Sequence, residues 1–203
     1  FGEDLIFNVR DGNIFYWDTS ADTLGTDRAV PLTAVLGGAL WVSGTSYTVG
    51  AKVYSPVNYH SYECIINVSG TTDPSADAAN WLQISDGTTP TKAKQVLVSD
   101  RDRHVVVFGT DSETAIGTMD PLLIRFSNQE SVTTWTATAD NTAGDLRVGA
   151  GSEIVCAVET RQQVLVFTDV SLHAMQFLGP PFTFGIDQIS ENITIAGPLA
   201  AKA

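Results

Sequence analysis

The residues that could do chemistry are few and scattered. A hydrolytic dyad needs two carboxylates held in one pocket with different protonation states. Glu113, Asp120, Glu130 and Asp140 are the acidic residues that distant loops of a strand-rich chain could bring together. Acidic side chains in polar loops are normally just solvated, so the expectation is that none catalyses. His60, His104 and His173 each stand alone, without the second ligand at helical or strand spacing that a metal pair requires. Cys64 and Cys156 have no neighbouring His or Cys and read as buried thiols rather than zinc ligands. No Gly-x-Ser-x-Gly, phosphate-cradling glycine loop or calcium loop occurs, and the expectation is a protein with no cofactor and no metal. Asn67-Val68-Ser69 and Asn192-Ile193-Thr194 match a glycosylation pattern too short to carry weight.

The elements that position these residues are strands. The 203 residues are 43% hydrophobic, as in an ordinary globular protein. The apolar runs are mostly four to eight residues long and rich in β-branched residues, which predicts an all-β fold. Eleven basic against 23 acidic residues give a net charge of −12, which opposes stable binding to a phosphate backbone. No stretch approaches the roughly 18 apolar residues of a membrane span, so no membrane insertion is expected. The chain starts at Phe1 and trails off through Gly197 to Ala203, which reads as a segment of a longer polypeptide.

Three segments share one grammar of strand, polar turn and returning strand. Leu5 to Val9 turns through Arg10-Asp11-Gly12-Asn13 and returns as Ile14 to Trp17. Gln95 to Ser99 turns at Asp100-Arg101-Asp102-Arg103 and returns as His104 to Phe108. Ile154 to Val158 turns at Glu159-Thr160-Arg161-Gln162 and returns as Gln163 to Phe167. Further strand-like runs, Leu122 to Phe126 and Ser171 to Gln176, follow the second and third. The charged turn at 100–103 reads as a solvated loop. With 40–84 set aside, the spacing is roughly 45 to 60 residues, the period of a propeller or similar radial array of antiparallel blades. The expectation is a partial β-propeller over 1–39 and 85–203, with a plain sandwich as the alternative.

The interrupting stretch 40–84 holds Trp41, Tyr47, Tyr54, Tyr59, Tyr62 and Trp81, six of the chain's four Trp and five Tyr residues taken together. So dense a set can build the core of a small inserted β module, with Trp41, Tyr47, Tyr62 and Trp81 as its core. Tyr54 and Tyr59 flank Pro56 in a loop and are the candidates for stacking on a sugar ring. The module's ends are expected to lie close together, as for an insertion into a loop.

Val96-Leu97-Val98-Ser99-Asp100-Arg101-Asp102-Arg103-His104, the run Asp120 to Ser127 with Trp135, and Ile154 to Gly185 with its Phe182-Thr183-Phe184-Gly185 turn resemble the tail tubular protein B, or tail nozzle, group of short-tailed bacteriophages. The resemblance covers about 1–36 and 88–203. It implies a β-propeller in a ring of identical subunits around the genome-ejection channel, in contact with neighbouring tail proteins, with phage DNA passing but not specifically bound. It therefore implies a structural virion protein located in the phage tail. The insertion looks like the small chitin-binding modules of carbohydrate-binding families five and twelve, through Trp41, Tyr47 with Gly50, Val53, Tyr62, Pro74 and Trp81. It departs from them at Cys64-Ile65-Ile66-Asn67, where those modules carry exposed tryptophans. Two alternatives stand beside the structural reading: adhesion to host-surface glycan through the module, and a glycan-degrading enzyme on a propeller scaffold.

Overall fold

The structure is a computed structural model that describes residues 2–20, 28–99, 101–179 and 181–202. Phe1, Asp100 of the charged turn, and Ala203 lie outside the described residues. The fold is all-β, built from several antiparallel sheets, none of which closes.

Strands β1 (Leu5–Asn8) and β2 (Gly12–Trp17) form the first hairpin, and β3 (Val30–Pro31) pairs with β2 to complete a short meander. A 3-10 turn over Leu32–Gly37 leads into β4 (Ala39–Leu40), β5 (Ser46–Tyr47), β6 (Lys52–Tyr54), β7 (Ser61–Cys64), β8 (Val68–Ser69) and β9 (Trp81–Gln83). A second meander follows as β10 (Lys92–Val98), β11 (Val105–Asp111), β12 (Met119–Phe126) and β13 (Gly144–Arg147). The third is β14 (Ile154–Glu159), β15 (Val164–Thr168), β16 (Ser171–Gly179) and β17 (Thr183–Glu191). A bridge of two residue pairs, Lys92 with Asn13 and Ala93 with Gly12, joins the first two meanders into one seven-stranded sheet. The three hairpins coincide with those read from the sequence.

All seven residues of β11 are buried, because both faces of the second meander are covered. Val105 and Val107 pack with Ile6, Ile14, Leu32 and Trp135 on one side. Val106 and Phe108, with Leu122, Ile124 and Phe126, pack on the other against Ile154, Val164, Val166, Met175 and Phe184 of the third. A continuous apolar run such as Val105 to Phe108 is what a strand buried on both faces requires, and each such side chain contributes about 1.5–3 kcal/mol.

In the inserted stretch, β4, β6, β7 and β9 form a four-stranded sheet in that order, and β5 pairs with β8. The entry strand β4 and exit strand β9 are the two edge strands of this sheet. The flanking chain converges all the same: Leu36 and Ser85 border one small cavity, and the Thr33 carbonyl and the Ser85 hydroxyl both bond Ser61, so the two ends do not diverge. Nor does the module stand clear of its host. The Thr33 hydroxyl donates to the Tyr59 carbonyl (2.6 Å), and the buried Ser61 hydroxyl donates to the Thr33 carbonyl (3.0 Å). A side-chain carbon added at Gly37 would lie 2.7 Å from the backbone of Val53 and Tyr54, so only glycine permits this approach.

Asp86 fixes the exit of the module to the second meander. Its carboxylate accepts the backbone N–H groups of Trp135, Thr136 and Thr88, each at 2.9 Å, and the Thr136 hydroxyl at 2.8 Å. Burial pushes this carboxyl upward, but those donors outweigh it and hold it at about 2. With the folded value depressed, the stabilisation is present above the ordinary carboxyl range and is lost as pH falls through about 2. Asp86→Asn is expected to cost about 1–3 kcal/mol at pH 7, by leaving buried donors short of acceptors. The difference in urea midpoint between variant and parent should shrink steadily from pH 5 to pH 2; a difference independent of pH would refute the account.

Candidate functional site

The four candidate carboxylates are not brought together. Glu113 lies 3.6 Å from Nη2 of the buried Arg125 and accepts from the backbone N–H of Ala137. Asp120 pairs with Arg147 at 2.8 Å, and Glu130 pairs with Arg103 at 2.8 Å. Asp140 is exposed in a turn. Three carboxylates with three different arginines form no acid–base pair. Although burial raises Asp120, the Arg147 guanidinium and the Leu122 N–H hold it below the usual carboxylate range, the reverse of what a proton donor needs.

The three histidines are likewise separate. His60 Nδ1 meets the Ser85 hydroxyl at 2.9 Å, and His173 Nε2 meets the Ser171 hydroxyl at 2.8 Å. His104 is fully buried beside Phe126, Phe177 and Phe184, with Nε2 on the Thr142 hydroxyl at 3.0 Å. Burial lowers all three imidazoles below their ordinary value, against an opposing pull from Asp102 at His104. Among the described residues no group of three or more His, Cys, Asp or Glu side chains is placed to hold a metal ion. Cys64 and Cys156 are both buried and free. Among the described residues no helix is long and apolar enough to cross a membrane.

Trp41, Tyr62 and Trp81 are buried in one cluster with Val53 and Cys64, and Tyr47 packs on it edge-on to Trp81, ring centres 5.2 Å apart. Tyr54 and Tyr59 line two different cavities. Tyr59, 45% exposed, borders one of about 110 Å³ beside Leu32 and Pro90. Tyr54 borders one of about 480 Å³ with Tyr16, Trp17, Asp18 and Arg28. The pair does not form a single stacking platform.

What the structure assembles instead is a seam where the first strands of the three meanders meet. The Asn8 amide donates to the Ala93 carbonyl (3.0 Å), and its oxygen accepts the Val96 N–H (3.1 Å). One meander further on, Gln95 repeats the device, donating to the Ala157 carbonyl (2.7 Å) and accepting the Ala157 N–H (2.8 Å). Lys94, its side chain 7% exposed, places Nζ 3.1 Å from Asp11 and 2.6 Å from Glu153, one carboxylate from each flanking meander. Arg10 donates to the Val155 carbonyl at 3.1 Å. Sequence reasoning did not single out Asn8, Lys94 or Gln95. The available signal was an amide side chain inside each of two first strands.

The stack also ends on two apolar faces. Leu5, Phe7, Phe15 and Trp17 share the side of the first meander turned away from the second; Phe7 and Phe15 stack at 5.6 Å, and Leu5 and Phe7 are 48% and 38% exposed. Val158, Leu165, Phe167 and Leu172 share the side of the third meander turned away from the second, and all four are partly exposed. The same side of the third meander also carries the buried Cys156 and Ala174, and Gln176, Asp187 and Ser190 of its last two strands. Comparison with protein-family models, with curated proteins and with solved structures gives no match for this chain.

Gln95→Leu keeps the side chain's bulk but leaves the Ala157 N–H and carbonyl without their partner. The expected loss is about 1–3 kcal/mol in urea unfolding. A variant as stable as the parent would show that the seam is held by apolar packing alone.

Proposed function

We propose that this chain is a non-enzymatic structural segment, three neighbouring blades of an incomplete β-propeller, from the tail nozzle of a short-tailed bacteriophage. The observation that carries the reading is the face-to-face stacking of three antiparallel meanders whose first strands meet along one seam. Radial repetition of such units, with first strands innermost, is how propellers are built. The resemblance of 1–36 and 88–203 to nozzle proteins supplies the biological setting: a ring of identical subunits in the virion, flanked by other tail proteins and threaded by DNA during genome ejection. The net charge of −12 suits a wall along which phosphate backbones pass without adhering.

A second reading, attachment to host-surface glycan, is favoured by the cavity that Tyr54 shares with Tyr16 and Trp17, since aromatic faces with a few polar groups suit a sugar ring. One pair of measurements separates the two. Gold-labelled antibody against the chain is expected to decorate the tail tip of the tailed virions whose genome encodes it, and a glycan array is expected to stay blank. Unlabelled virions would overturn the structural reading, and array binding lost in Tyr54→Ala would put the glycan reading in its place.

A further inference from the structure

His104 is fully buried where the turn between β10 and β11 meets the third meander. Phe126 of β12, Phe177 of β16 and Phe184 of β17 surround it, with ring centres 6.4, 5.8 and 5.1 Å away. Phe184 in turn packs on Phe126 at 4.9 Å and on Phe177 at 5.5 Å, so the imidazole is the titratable member of an aromatic wedge that joins the second meander to the third. Its tautomer follows from its partner. The Thr142 hydroxyl donates its single proton to Asn128 Oδ1 (3.0 Å) and accepts the Gln129 N–H (2.8 Å), so at 3.0 Å it accepts from His104 Nε2 as well. Nδ1 is left as a bare lone pair, buried without a hydrogen-bond partner.

The charged groups around this nitrogen among the described residues are already engaged or turned away. Asp102, in the same turn, draws a proton toward the ring, but its carboxylate lies 3.7 Å from Arg101. Arg103 is paired with Glu130 at 2.8 Å. Arg125 and Asp145, paired across β12 and β13, lie on the face opposite Phe126. In the third meander Asp187 lies on the face opposite Phe177 and Phe184, while Glu159 and Arg161 line a cavity of about 30 Å³ that those two rings border.

We propose that His104 is an acid-released latch: neutral, it seals the second meander to the third, and protonated, it drives them apart. A proton at Nδ1 adds a charge and an N–H among three phenylalanine rings, with no hydrogen-bond partner in place, and opening relieves both by bringing the ring to water. Burial holds the imidazole below its ordinary value of 6.5 despite Asp102, so the folded chain resists a proton that the unfolded chain takes up. The stability this gives is complete above that value and is lost as pH falls below it. The latch is a property of the junction itself, and it holds or fails independently of the nozzle reading.

Two measurements test it. In urea unfolding of the 203-residue chain, the unfolding constant of the parent is expected to rise between about pH 7 and about pH 5 at least about fivefold more than that of His104→Phe, whose ring takes no proton. His104→Gln, which keeps a donor for Thr142, serves if circular dichroism shows the phenylalanine variant to be unfolded. His60→Gln and His173→Gln should each remove less of the acid response than the His104 variant does. Hydrogen exchange on the parent alone, corrected for the intrinsic pH dependence, locates the opening and decides the question even if both His104 variants unfold. Acidification should raise exchange over 99–104, β16 and β17 and leave β6 and β7 of the module unchanged. An acid response retained in the His104 variants, one removed as fully by His60→Gln or His173→Gln, or added exchange spread evenly along the chain would overturn the latch.

Discussion

A buried ammonium group must find counter-charge, and the position of Lys94 turns that rule into the geometry of the whole chain. Its nitrogen is withdrawn from water and satisfied only where Asp11 of the first meander and Glu153 of the third converge on it. The lysine stem is buried, while Asp11 and Glu153 are 49% and 45% exposed, so the pairing sits where the seam meets solvent and removing either carboxylate leaves the ammonium with a single counter-charge there. The backbone is shaped around the same residue. Gly109 sits at φ +58 within a register shift of β11, and any side-chain carbon there would strike the Lys94 stem at 2.7 Å. Glycine, lysine and two carboxylates from three meanders form one unit.

Around that unit the apolar layers do the bulk of the work. The second meander is the only one among the described residues with a core on both sides, and it holds a large share of the fully buried side chains: Val105 to Phe108, Ile124, and Trp135 under the guanidinium of Arg125 at 5.9 Å. The flanking meanders each contribute one covered face, which places their stability downstream of the central one. This is the nearest-neighbour logic of repeat proteins, in which a unit is only as stable as the interfaces beside it.

The parts of this architecture legible in the sequence are those where one local pattern fixes the outcome. Hairpins at Leu5, Gln95 and Ile154 follow from apolar runs broken by charged or glycine-bearing turns. The aromatic density of 40–84 marked a separate cluster. The seam was not legible, because an Asn or Gln inside a strand reads as a solvent-facing residue until the neighbouring backbone is known. The ion pairs were hidden for the same reason, since Glu130 and Arg103 or Asp120 and Arg147 meet only through strand order. The placement of the module's ends depended on a parallel pairing of two residues between β4 and β6, too short to leave a periodic signal.

The bridge between Gly12-Asn13 and Lys92-Ala93 has a consequence for the entropy of folding. It closes a loop of roughly 80 residues, and the entropic cost of closing a flexible loop grows with the logarithm of its length. The module inside that loop is assembled mainly from its own neighbours: Trp41, Val53, Tyr62, Cys64 and Trp81 all belong to it. Once it has collapsed, the chain left free between Asn13 and Lys92 is about half as long, which lowers the closure cost by about 0.6 kcal/mol. A self-packed module in that position works as a built-in spacer that shortens the flexible chain the Gly12-Asn13 to Lys92-Ala93 pairing has to close over.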